Sequence, residues 1–316
     1  MKTAAVLAFA LMMPITSACS RQARPKSQTS NQAAGPSDPT IEVSSADNDS
    51  SSDDPCSQMF SNFYVEADSL AYNDYEVARL HKVVHDKESG FDMPDTYAVL
   101  RSRGKVIATF DGIYHPAGNF TDFGFASLLG GETKQLVVSQ VIPRNGRHWV
   151  VDVSSDGATL FDSSDWDTGG EDVCVHDVDG DGIAEISMPI QAFWGFETMS
   201  MADSPMPGVV FKYDSKSRKF LPDKSSFARG LTDIDEDVKA IDQNEKPQGG
   251  FAGRFLAVRL DIFLHYVYAG REKDAWSFFE KTYNLDDKKE IGKKIRARLD
   301  REPVYRFVYG KSRGRS

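Results

Sequence analysis

Residues 177–185 read D-V-D-G-D-G-I-A-E, and the spacing of their side chains leaves little freedom in what they can form. Asp177, Asp179, Asp181 and Glu185 stand at positions 1, 3, 5 and 9 of the stretch, Gly182 stands at position 6, and Ile183 offers a backbone carbonyl at position 7. An all-oxygen shell of this kind suits a hard cation, and Ca2+ fits it best. An EF-hand would need a bidentate Glu at position 12, where this chain has Met188. The alternative is a polar Asp/Gly turn with no ion. Like charges packed this densely repel, however, unless a cation or protons neutralise them. Every candidate ligand is a protein group, so an ion here is expected to hold a loop shut rather than to meet a substrate.

The lead-in Val173, Cys174, Val175 and His176 and the following I-S-M-P predict a strand, a tight loop and another strand. The residues V-H-D-V-D-G-D-G-I-A-E-I resemble the calcium loop of FG-GAP/VCBS repeats, the integrin-type β-propeller blades. The resemblance implies a β-rich fold of blade-like antiparallel units with one calcium loop. A weaker echo lies about fifty residues earlier, where residues 125–138 read F-A-S-L-L-G-G-E-T-K-Q-L-V-V. With Gln135-Leu136 aligned on Glu185-Ile186, Ser127, Leu129 and Gly131 fall opposite the three aspartates, so the hairpin is kept and the ligands are lost. Further strand pairs are read at 97–111, 149–162 and 209–221. Two or three such units cannot close a ring that needs at least about four blades, so the expectation is a partial blade-like assembly or a small sandwich.

At the N-terminus, Lys2 precedes an apolar run over 4–13 and then I-T-S-A-C ending at Cys19. The charged start, short apolar run and small residues predict an export signal over 1–18, too short to span a bilayer. Ser17, Ala18 and Cys19 resemble a bacterial lipoprotein lipobox, with Thr16 where that family usually has Leu. That resemblance implies lipidation of Cys19, and Ser20 after it is the pattern associated with the outer membrane. An ordinary cleavable signal is the alternative. Residues 19–55 hold no aromatic residue and read as a disordered tether. The other cysteines, Cys56 and Cys174, are candidates for a disulfide in an oxidising compartment, two unpaired thiols being the alternative.

The folded body divides by pattern into a β-rich region, 56–224, and a helical region with a basic tail, 225–316. Phe255, Leu256, Leu260, Phe263, Leu264 and Val267 mark one helix, and Gly270 stands where a C-terminal capping glycine belongs. A second helix is expected from Glu272, with Ala275, Phe278 and Phe279 on one face, and a third after Asp286 with Ile291, Ile295 and Leu299. The first two look like one tetratricopeptide unit, which cannot stand without neighbours, so a packed helical hairpin is expected. The last 31 residues carry eleven Lys/Arg and five Asp/Glu within a chain of net charge −10. An acidic body behind an export signal argues against nucleic acid as a partner.

Enzyme motifs such as G-x-S-x-G and H-E-x-x-H are absent from the sequence. His81 and His85, four apart, would share a face of a helix, but no further zinc ligands accompany them. Phe193, Trp194 and Phe196, with Met199 and Met201, form an aromatic segment after the acidic loop, read either as a recognition loop for a protein or glycan or as a plug between sheet and helices. The expectation is a lipid-anchored envelope module, calcium-stabilised and without a catalytic site, that binds or scaffolds. A polysaccharide-processing hydrolase using Asp162, Asp165, Asp167, Glu171 or Asp172 is the rival, and a surface-polysaccharide biogenesis factor is a third reading.

Overall fold

The computed structural model describes residues 58–311 apart from 86, 88–89, 113–118, 144, 171–172, 230–233, 235–237, 240 and 242–251. The expected signal, Cys19, the tether, Cys56, Glu171 and Asp172 lie outside the described residues.

A short strand, β1 (Gln58–Met59), precedes three antiparallel meanders. The first is β2 (Ser69–Tyr72), β3 (Tyr75–His85), β4 (Asp92–Ser102) and β5 (Lys105–Phe110). The second is β6 (Phe120–Ala126), β7 (Gln135–Ile142), β8 (Asn145–Asp152) and β9 (Thr159–Asp162). The third is β10 (Cys174–His176), β11 (Glu185–Pro189), β12 (Gly208–Asp214) and β13 (Lys219–Pro222), with β1 pairing beside β10. The expected strand pairs at 97–111, 149–162 and 209–221 are β4–β5, β8–β9 and β12–β13. At the β4–β5 turn Arg103 and Gly104 both have positive φ, 50° and 77°, the handedness that a two-residue hairpin between right-twisted strands requires.

The middle sheet is covered on both faces, and the period of two decides which residue goes where. Leu136, Val138, Trp149 and Val151 join Val77, Ala98, Leu100 and Phe110 of the first meander in one core. Val137 and Val150 point the other way, into a larger core with Val175, Ile186, Phe211 and Phe220 of the third meander. Each such side chain withdrawn from water contributes about 1.5–3 kcal/mol. β7 therefore carries buried apolar residues on both faces instead of on one.

The helical part supplies the rest of the larger core. It comprises α1 (Lys224–Arg229), α2 (Ala252–Tyr268), α3 (Glu272–Thr282), α4 (Lys288–Leu299) and α5 (Pro303–Val308). The expected apolar stripe of α2 is buried from Phe255 to Val267 and shares its core with α3, α4 and the third sheet. α2 ends as its glycine predicts: Gly270 has φ +79°, its amide bonds the Val267 carbonyl at 3.0 Å, and the Arg271 amide bonds Tyr266 at 2.9 Å. α2 and α3 form a packed hairpin seated on the sheets. No helix among the described residues is long and apolar enough to cross a membrane.

α5 was not anticipated, although its start carries two signals, Pro303 in the first turn and Glu302 as the cap. The Glu302 carboxylate accepts from the amides of Val304 and Tyr305 and from the Tyr268 hydroxyl. It is 1 % exposed. Burial pushes its carboxyl from the ordinary 4.5 up to about 7, against the hydrogen bonds that favour the ionised form. The folded protein then holds a proton that the unfolded chain has released. Stability from this group is complete below the ordinary value and is lost as pH rises from about 4.5 through about 7. Urea unfolding across that window should show this decline, and Glu302→Gln, although less stable overall for want of a proper cap, should flatten it.

Candidate metal centre

The acidic stretch is the loop between β10 and β11, and its glycines shape it. Gly180 and Gly182 take φ of 73° and 82°, the left-handed region that a side chain would strain. The chain thereby curls around Asp177, whose carboxylate accepts from the amides of Gly180 (2.7 Å), Asp181 (3.1 Å) and Gly182 (2.8 Å). Asp181 accepts from the Ile183 amide at 2.8 Å. Glu185 opens β11 and is 3 % exposed. One of its oxygens, Oε2, accepts from the Val178 amide at 2.7 Å, while Oε1 is buried with no hydrogen-bond partner.

Asp177, Asp179 and Glu185 each place a carboxylate oxygen within 4.8 Å of the others and could hold a metal ion. Asp181 falls outside that triad, and Ile183, expected to contribute its carbonyl, is tied to Asp181 through its amide. The fit rests on the chemistry of the set: all donors are oxygens, and one buried acceptor is unsatisfied, which costs about 1–3 kcal/mol until something positive meets it.

A positive group does approach. Lys212, on β12, has its ammonium against Asp179, 3.2 Å from Asp181 Oδ2 and 3.7 Å from Glu185 Oε1. The sequence reading missed it, because its arrival depends on strand register: Ile186 pairs with Phe211, which sets Lys212 across from Glu185. The hydrogen bond to Asp179 is the main cause that raises the lysine well above its ordinary range. Burial raises the Glu185 carboxyl, opposed by the Val178 amide and reinforced by the charges of Asp179 and Asp181.

The echo unit repeats this construction without the charges. Ala126 pairs with Gln135 as His176 pairs with Glu185, and Phe125 with Leu136 as Val175 with Ile186. Gln135 Oε1 accepts from the amides of Leu128 (2.7 Å) and Leu129 (3.1 Å), and Leu128 is the counterpart of Val178. Its Nε2 lacks a partner, as Glu185 Oε1 does. The two loops also touch: the Ala184 amide bonds the Leu128 carbonyl at 2.8 Å, and a Cβ on Gly130 would lie 2.6 Å from the Gly182 carbonyl. The acidic loop thus sits at the seam between the second and third sheets.

Other residues singled out from sequence are dispersed. Cys174 is disulfide-bonded, and its expected partner, Cys56, is not among the described residues. His81 and His85 lie on β3, a strand, which puts them about 13 Å apart and removes the helical pairing. The aromatic segment after β11 divides. Phe193 and Met199 are core, at 1 % and 5 % exposure, and Phe196 packs against Phe193 edge to face. Trp194 is half-buried with its indole nitrogen donating to the Met201 carbonyl at 3.2 Å, and Met201 is exposed. A recognition surface here is therefore limited to Trp194 and Met201, because the helices draw the other aromatic rings inward. Lys294 and Arg298 of α4 hold the segment down through Glu197 and the Ala192 carbonyl.

Asp162 and Asp165 line a common cavity of about 310 Å³ with Trp166, Arg306 and Phe307. Asp162 is engaged there by Arg147 through both its oxygens (3.1 and 2.7 Å), by the Trp149 indole and by Ser164. Burial acts to raise its carboxyl, and the Arg147 and Ser164 hydrogen bonds outweigh it and hold the group below the usual range. Asp167 follows a 3-10 turn over Ser163–Trp166, takes φ 53° and is exposed.

No protein-family model matches the chain, and no curated protein matches it. Among solved structures it is similar to the Bombyx mori GH32 beta-fructofuranosidase BmSUC1, at 12% identity and a TM-score of 0.21. That match covers 49% of this chain and about a third, 35%, of the other. A likeness so slight carries no conclusion about fold or activity.

The division of the aromatic segment has a measurable consequence. Phe193→Ala should cost about 3–5 kcal/mol in denaturant unfolding, as for other fully buried rings. Trp194→Ala should cost less than about 2 kcal/mol.

Proposed function

We propose that this protein is an exported, lipid-anchored module of the cell envelope that binds or scaffolds, with calcium bracing its β-rich body. The observation that carries the reading is that Glu185, with its Oε1 buried and unsatisfied, brings a carboxylate oxygen within 4.8 Å of those of Asp177 and Asp179 at the seam of two sheets. All-oxygen donors with two exposed aspartates suit a hard, exchangeable ion, and among such ions calcium tolerates the irregular geometry that magnesium does not. The loop's sequence likeness to FG-GAP/VCBS repeats supports the same ion and lets the meanders be taken as blade-like units that do not close a ring.

In this reading the acylated Cys19 and the tether over 19–55 hold the body at the outer membrane. The half-buried Trp194 and exposed Met201 would meet an envelope protein or glycan. The ion acts as a staple: it joins β10 to β11 and, through the contact of their loops, steadies the third sheet against the second.

The hydrolase reading has one observation in its favour, the shared cavity of Asp162 and Asp165. Against it, Asp162 is saturated by donors and held ionised, which suits a structural anchor better than a proton donor. If the cavity does hydrolyse an envelope polysaccharide, Asp165→Asn should abolish reducing-sugar release from such polymers. If wild type and variant both release none, that reading fails.

Thermal melts test the staple. A ligand bound only by the folded state at a hundred times its Kd adds about 2.7 kcal/mol, which for a body of this size is a rise of about 5–10 °C. Calcium against EGTA should produce that rise, and the double variant Asp179→Ala/Asp181→Ala should lose it. No shift in the wild type would leave the loop as a turn and remove the calcium reading.

A further inference from the structure

We infer that Lys212 is the resident cation of the acidic loop and that a divalent ion loads the site by displacing it, the lysine and the metal exchanging for the same carboxylates. This rests on the calcium reading above.

Three features of the loop lead there. First, the lysine ammonium contacts Asp179, lies 3.2 Å from Asp181 and approaches Glu185 Oε1 to 3.7 Å, so it stands against two of the three carboxylates, Asp179 and Glu185, that would ligate a metal. The triad's oxygens lie within 4.8 Å of one another, and a calcium ion would have to stand about 2.3–2.6 Å from each. An ion so placed would be within a few ångströms of the ammonium, where two cations repel strongly.

Secondly, the lysine satisfies the loop incompletely. Its 3.7 Å approach to Glu185 Oε1 is an ion pair without a hydrogen bond, and that oxygen stays unsatisfied and buried. A coordinated ion would engage the Glu185 carboxylate directly, which separates the two occupants energetically. Thirdly, the way out is open. Lys212 is 38% exposed, and its flexible four-carbon stem can carry the charge into water while staying against the sheet.

The consequence is a site with two occupied states instead of an occupied and an empty one. Without metal, the lysine neutralises part of the loop's charge and the fold persists. With metal, the lysine is expelled, and the work of expelling it weakens the apparent affinity relative to what the carboxylates alone would give. Such a site loads only where free calcium is abundant, in the range of extracellular modules, about 10⁻⁴–10⁻³ M.

Calorimetric titration of calcium into the purified protein, its Lys212→Gln variant and its Lys212→Arg variant tests the exchange, with melts in EGTA alongside. Lys212→Gln should bind calcium at least about tenfold more tightly than wild type and melt several degrees lower in EGTA, while Lys212→Arg should stay close to wild type in affinity. Equal or weaker binding by Lys212→Gln, with the wild type binding calcium, overturns the exchange and leaves the calcium reading standing. Absence of binding in every protein overturns both. A second measurement needs no variant: with lysines labelled by reductive ¹³C-methylation, which keeps the charge, the Lys212 methyl signal should move to the position of a solvated lysine as calcium is added. A signal that does not move while calcium binds also overturns the exchange.

Discussion

Both faces of β7 are buried, and most of the architecture is a response to that. A strand reading Q-L-V-V-S-Q-V-I has no side that water would favour, so it needs a covering sheet on each side. The first meander covers Leu136 and Val138, while the third meander, with its helices, covers Val137. Stacking sheets in this way brings the loops at one end of neighbouring sheets together, which is how the loop before β7 comes to lie against the loop before β11. The acidic loop owes its neighbour, and so its place at a seam, to the hydrophobicity of a strand in another sheet.

Polar residues inside that same strand fix how it sits. Ser139 lies opposite His148 on β8, and its hydroxyl is 2.6 Å from His148 Nδ1. His148 Nε2 is 3.1 Å from the Gly170 carbonyl, which can only accept, so Nε2 carries a hydrogen. The Tyr64 hydroxyl completes the chain at Ser139. On the same strand Gln140 donates to the Thr96 carbonyl at 2.7 Å and accepts from the Gly112 amide at 2.9 Å. A slip of one residue would turn these groups to the wrong face and leave several buried polar atoms without partners. Apolar burial chooses that the sheets stack, and these few bonds choose the register.

What was legible in the sequence follows the range of the interactions involved. Alternation in 97–111, 149–162 and 209–221 marked three hairpins, and the 3.6-residue stripe with Gly270 marked α2, because each of these signals is local. β3 was not recognised, since the histidines of Y-E-V-A-R-L-H-K-V-V-H fit a helix face as well as a strand, and only pairing with β4 over its whole length decides between them. α5 is six residues long and has too little periodicity to be seen. Phe193 and Phe196 were open between recognition and packing because sequence cannot say whether a helix will settle on a loop. The carboxylates of the candidate site were legible; Lys212, brought in by the pairing of β11 with β12, was not.

The echo loop shows which part of the acidic loop the fold itself requires. Gln135, a neutral amide, closes its loop through the Leu128 amide in the way that Glu185 closes the other through Val178, with the same strand register behind it. Closure of the hairpin therefore needs one side-chain oxygen and no charge. Ser127, Leu129 and Gly131 stand where the acidic loop has three aspartates, and the hairpin forms regardless. Asp177 receives three loop amides and Glu185 one, but the charges of Asp179 and Asp181 are a burden that hairpin closure does not explain, since they add to the upward pressure on Glu185 that its burial begins. A lysine offsets one charge and leaves Glu185 Oε1 unsatisfied. A divalent cation would offset more of the loop's charge than the lysine does, and three of its carboxylate oxygens lie within 4.8 Å of one another. The difference between these two otherwise parallel loops is thus the strongest physical reason to regard the acidic one as built for an ion.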